Sequence, residues 1–174
     1  GGSLPHAQNN DPWRDGKQSH YDGGLRVPFM IRWPGHIAPG SRSDYAGLVF
    51  DLFPTFLQLA GATPSADLDA VSLLPILQGR TIAAPRDLYF VRREGGPAYG
   101  GKSYEALIRG QWKLLQNDPY SPLELYNLKT DPQETENLAA TEKKVFNELA
   151  AALRLHIQRG GATPWQPPAQ PSPR

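Results

Sequence analysis

The chain has 174 residues with 18 basic and 17 acidic side chains, so its net charge of +1 gives no bulk field toward nucleic acid or an anionic membrane. It contains no cysteine, which excludes disulfides, thiolate metal sites and a cysteine nucleophile. Apolar residues at 39% allow a packed core, while 17 glycines and 18 prolines predict many turns and short regular elements.

Residues 1–15 are polar and turn-rich, with Asn9-Asn10-Asp11-Pro12 as a breaker, and read as a surface loop. Gly16, Gly23 and Gly24 then pin a polar stretch containing Lys17 and His20. Val27 to Trp33 is nearly all apolar and ends at Pro34-Gly35, which predicts a strand buried on both faces. A glycine-pinned loop ahead of a rigid strand can aim a cation at an anionic ligand, so Lys17 is the sharpest candidate against the plain reading of a solvated lysine. His20, three residues on, suits proton transfer near neutral pH, with an ordinary loop contact as the alternative. Arg26 reads as a structural salt bridge at the strand entrance.

Asp51 predicts an N-cap, with Pro54 in the first turn, Leu52, Phe56, Leu59 and Ala60 on one face, and Gly61 closing the helix. A second short helix runs from Ser72 to Gln78 and ends at Gly79. Asp67 and Asp69 lead into it and do not read as a metal pair; His36 and His156 read as ordinary turn and helix residues. From 81 the apolar pattern alternates by two. Asp87–Val91, Tyr104–Arg109, Gln111–Gln116 and Leu123–Leu128 are strand candidates, with Gly110 as a hairpin turn. One face of that sheet needs a cover, and a helix capped by Thr141 supplies it through Val145, Leu149, Ala152, Leu153 and Ile157. Gly160-Gly161 ends the helix, and the Pro-rich 162–174 reads as a tail.

Several blocks carry a resemblance. Gly16-Lys-Gln-Ser-His-Tyr-Asp-Gly-Gly-Leu-Arg-Val-Pro28 with Arg32-Trp-Pro-Gly35, then Asp51-Leu-Phe-Pro-Thr55, Asp69-Ala-Val-Ser-Leu-Leu-Pro75, Arg109-Gly-Gln-Trp-Lys113 and Glu124 to Ala139, stand in the order of the sulfatase family. That family, of the alkaline-phosphatase-like superfamily, includes the arylsulfatase and N-acetylgalactosamine-6-sulfatase types, and the resemblance is to its carboxy-terminal part only. Ala70 stands where the family has glycine.

The resemblance implies an α/β fold: the end of a large sulfatase-type α/β domain over 1–80, then over 81–161 a small four-stranded antiparallel sheet packed on a C-terminal helix, then the tail 162–174. It implies hydrolysis of sulfate esters, with sulfated carbohydrates as the candidate substrates and Lys17 binding the sulfate. Arg92, Arg93, Tyr99 and Lys102, around the glycine-rich stretch 94–101, suit the rest of a sulfated sugar, against the plain reading of a solvated hairpin loop. Formylglycine and calcium belong to the complete enzyme. Their residues are missing here, with metal ligands expected immediately before Gly1 and none in this chain. The chain starts Gly-Gly-Ser without methionine, which predicts a piece of something longer, inactive alone and partnered by the missing amino-terminal half. The alternatives are a phosphoesterase or phosphonate hydrolase of the same superfamily and a non-catalytic binding module. No apolar run reaches the roughly 18 residues of a membrane span, and the family habit is periplasmic or secreted.

Overall fold

A computed structural model describes residues 10–82, 86–93 and 103–161. The chain divides into two compact units. Residues 10–27 belong with 86–93 and 103–161, and residues 28–82 form the other unit. The break expected after residue 80 therefore does not hold residues 10–27 with 28–80, because their polar side chains are tied to the sheet described next.

Four strands, β1 (Asp87–Arg93), β2 (Ser103–Arg109), β3 (Trp112–Leu115) and β4 (Glu124–Asn127), form an antiparallel meander in sequence order. Gly110, at φ 59°, takes the first position of the two-residue turn between β2 and β3, a conformation glycine adopts without penalty. The register places Tyr89, Leu107, Leu114 and Leu125 on one face. Against that face packs helix α4 (Lys143–Gly161) through Leu149, Ala150, Ala152 and Leu153. Burying each such leucine contributes about 1.5–3 kcal/mol. Ile157, expected in this contact, is partly exposed instead, and the Thr141 hydroxyl donates to the Leu138 carbonyl two residues ahead of the helix.

The opposite face carries Phe90, Ala106, Leu115 and Tyr126, and it is covered as well. Its cover is the segment 14–26 with Tyr21 in contact, including the single turn α1 (Asp22–Leu25). Both faces of the sheet are thus buried where one cover was expected.

In the other unit a 3-10 turn (Val49–Asp51) leads into α2 (Leu52–Leu59), and α3 (Leu74–Leu77) follows. Two sequence expectations fail here. The strand over 27–33 does not form: Val27, Phe29 and Met30 are 69%, 57% and 90% exposed. A strand buried on both faces needs neighbouring strands and two covering layers, and no described residue supplies them. Helix α2 also turns a different side inward. Pro54 and Thr55 are buried, while Phe56 and Leu59 are exposed.

Hydrogen bonding decides that orientation. The buried Asp51 carboxylate, expected to cap the helix, accepts from the amides of Leu48 at 2.7 Å and Val71 at 3.0 Å. The Thr55 hydroxyl donates to the Asp51 carbonyl and accepts from the Leu73 amide. Two motif residues of α2 thereby bracket the chain ahead of α3.

Candidate functional site

Lys17 sits on a tight turn. The Ser19 amide donates to the Gly16 carbonyl at 3.0 Å, and Gln18 at the third position has φ 81°, the hallmark of a type II turn. Glycine is the usual residue there, and a left-handed non-glycine costs about 1–3 kcal/mol, so it persists only where its surroundings hold it. Asp15, just before the turn, is also left-handed at φ 61° and accepts from the Gly16 amide through its own carboxylate.

The surroundings that hold the turn come from the sheet. Arg92 of β1 donates to the Gln18 carbonyl at 2.5 Å, and the Tyr104 hydroxyl of β2 reaches the same oxygen at 3.5 Å. Beyond β3, Asn117 Oδ1 accepts from the His20 amide at 2.6 Å and from the Ser19 hydroxyl at 3.2 Å. His20 Nδ1 lies 3.2 Å from the Gln116 carbonyl. A carbonyl only accepts, so Nδ1 carries the proton in that bond. The His20 ring is buried against Tyr104, and burial first, then the charges of Lys113 and Arg92, push its pKa down to about 4. His20 is neutral at pH 7.

A buried ionic cluster pins the second half of the segment. Lys113 of β3 is fully buried, its ammonium 2.7 Å from Asp22 Oδ1 and 2.8 Å from Glu134 Oε1. Glu134 Oε2 accepts from the Asp22 amide at 2.7 Å, and Arg26 donates to Asp22 Oδ2 at 2.6 Å, the salt bridge expected of Arg26. Burial raises the Glu134 carboxyl above its ordinary range, and the Lys113 charge opposes that shift. Arg14 lies 3.7 Å over the Tyr21 ring and donates to the Glu134 carbonyl and the Tyr126 hydroxyl. Glu124 Oε2 accepts from the hydroxyls of both Tyr21 and Tyr126. A Cβ on Gly23 would sit 2.1 Å from the Asp15 carbonyl oxygen, and one on Gly24 would sit 2.1 Å from that of Ser19. Close approach of backbone, not turn geometry, requires the glycine pair.

The Lys17 side chain is exposed, and its ammonium makes no hydrogen bond or ion pair with any described residue. Of the other candidates, Arg92 is on the face of the sheet that carries the turn. Arg93, the next residue of β1, is on the opposite face, its guanidinium close to Gly160 of α4. Tyr99, Lys102, the stretch 94–101 and Gly1-Gly2 lie outside the described residues. No group of three or more His, Cys, Asp or Glu side chains among the described residues is arranged to hold a metal ion, so they do not fit a calcium site. Asp22, Lys113, Glu134 and Asn117 escaped the sequence reading. Lys113 carried a usable signal, because alternation puts it on the same face of β3 as Leu115, where a lysine needs a buried partner.

Comparison with known proteins identifies the class. The rat N-acetylgalactosamine-6-sulfatase is 40% identical over 108 residues, which cover 60% of this chain and 19% of that protein. Human arylsulfatase A is 34% identical over 163 residues, covering 81% of this chain and 31% of that protein. A crystal structure of Ps i-CgsB in complex with k-i-k-neocarrahexaose superposes with a TM-score of 0.78 at 29% identity, over 90% of this chain and 34% of that one. The four-stranded meander and its backing helix are those of a carboxy-terminal sulfatase region. Residues 11–160 match the family described as N-sulphoglucosamine sulphohydrolase, C-terminal, and the chain belongs to that family. It spans 19% and 31% of the length of these two curated relatives.

Proposed function

We propose that this chain is the carboxy-terminal portion of a sulfatase that hydrolyses sulfate esters of carbohydrates, and that Lys17 grips the sulfate. The observation that carries this reading is an exposed ammonium that pairs with no described residue, on a strained turn held by bonds from β1, β2 and the end of β3. As the ester O–S bond breaks, negative charge builds on oxygen, and a fixed ammonium stabilises it. A hydrogen bond to a charged group is worth about 1.5–3 kcal/mol, or roughly 10- to 150-fold in rate.

The calcium and formylglycine that the resemblance implies would be supplied by a region amino-terminal to these residues, as would the attacking oxygen. His20, neutral and bonded through Nδ1, serves this reading by holding the turn rather than by donating a proton. Arg92 adds positive charge beside Lys17. Tyr99 and Lys102 are assigned to the sugar on composition alone. In the full-length protein, sulfate release from sulfated monosaccharides falls at least about tenfold in kcat/KM for Lys17→Ala, with an unchanged melting temperature. Near-normal kinetics in the folded variant would refute the assignment.

A further inference from the structure

We propose that Asn117 is a positioning residue for Lys17, an inference that rests on Lys17 being the group that meets the sulfate. One side-chain oxygen of Asn117 accepts from two consecutive residues of the segment that follows Lys17, the Ser19 hydroxyl and the His20 amide. It stands two residues past the end of β3, so it references the turn to the sheet. The contact joins residues 97 positions apart in sequence.

The arrangement has one geometric consequence. Gln18, between Lys17 and the clamp, is left-handed, and such a conformation relaxes once the backbone on one side is released. The His20 amide is the backbone group that Asn117 secures, and Ser19 and His20 are both buried. Removing the acceptor leaves the carboxy-terminal side of the turn anchored at the Gln18 carbonyl by Arg92, without the clamp beyond it. The Lys17 backbone then shifts, and displacement of a charged group by about 1 Å is enough to cost on the order of 100-fold in an organised site. Asn117 acts through Lys17 and touches neither the substrate nor the reacting atoms in this assignment.

The test is a double-mutant cycle in the full-length protein with a sulfated monosaccharide. Asn117→Leu is expected to lower kcat/KM about five- to twentyfold with Lys17 present, and to add less than about twofold to the loss in a Lys17→Ala background. Asn117→Asp keeps an acceptor oxygen for both donors and is expected to recover most of the loss, while Asn117→Leu, of nearly the same size as asparagine, isolates the loss of the acceptor from a change of volume. If Asn117→Leu does not fold, Ser19→Ala removes one donor and is carried through the same cycle, with about a two- to threefold loss confined to the Lys17 background. A loss of equal size in both backgrounds, or no loss with Lys17 present, overturns the positioning role while leaving Lys17 in place. If Lys17→Ala itself leaves the kinetics unaltered, the functional reading fails and the positioning role fails with it.

Discussion

Lys113→Met exposes the physics of the buried cluster most clearly. Methionine preserves most of the aliphatic stem, so the change removes a charge with little loss of volume. In the protein the ammonium is fully buried, with two carboxylate oxygens at 2.7 and 2.8 Å. Breaking a buried pair by deleting one partner costs about 3–5 kcal/mol, because the other charge stays desolvated. Arg26 offsets part of this on Asp22, although its side chain is half exposed and its pairing is screened. Among the described residues no second cation pairs with Glu134, which bears most of the cost. A melting-temperature loss of about 6–20 °C follows, taking roughly 2–4 °C per kcal/mol for a chain of this size.

The pH dependence of that loss is a sharper test. Burial already raises the Glu134 carboxyl, and the charge that opposes the rise is gone in the variant. A carboxyl raised in the folded state contributes stability below its unfolded value and loses it as pH rises through the folded one. The deficit of Lys113→Met relative to the parent therefore shrinks between pH 8 and pH 5. Differential scanning calorimetry across that range reads both effects. A shift under about 2 °C at pH 7.5, or a deficit that grows on acidification, would refute the reasoning.

Gly23→Ala is expected to destabilise far more than Gly110→Ala in chemical denaturation, because its Cβ would meet backbone oxygens at 2.1 and 2.4 Å whereas nothing lies within 4 Å at Gly110. His20 gives a pH signature of opposite sign to that of Glu134. Its folded value near 4 lies below the ordinary 6.5, so stability is complete above pH 6.5 and falls as pH drops toward 4. The full loss is of order 3 kcal/mol. A His20→Gln variant flattens that slope, and NMR titration of the parent ring should show a midpoint near 4; a midpoint near 6.5 would contradict its burial.

The sheet and its helix were legible because their signals are local. Alternation by two places Leu107, Leu114 and Leu125 on one face, and Gly110 fixes the hairpin without reference to anything distant. The stretch 27–33 misled because its composition records a preference for burial, while burial itself depends on neighbours that no described residue provides. Helix α2 misled for a related reason. Its apolar period runs through Leu52, Phe56 and Leu59, yet its packed side was chosen by hydrogen bonds of Asp51 and Thr55 to residues 18 to 20 positions away.

At the candidate site, Lys17 and its glycines were readable from spacing and resemblance. What holds them was not. Asp22 meets Lys113 across 91 positions and Ser19 meets Asn117 across 98, and no periodicity encodes such pairings. Arg92 and Arg93 look alike as neighbours in the sequence, but strand alternation sends one to the turn and the other to α4.

Product inhibition by inorganic sulfate tests the central claim most directly, since it reads sulfate binding at the lysine without the chemical step. In the full-length protein the inhibition constant for sulfate should rise at least about tenfold in Lys17→Ala, as loss of one charge-assisted contact requires. An inhibition constant unchanged from the parent, in a variant with the parent's melting temperature, would contradict it.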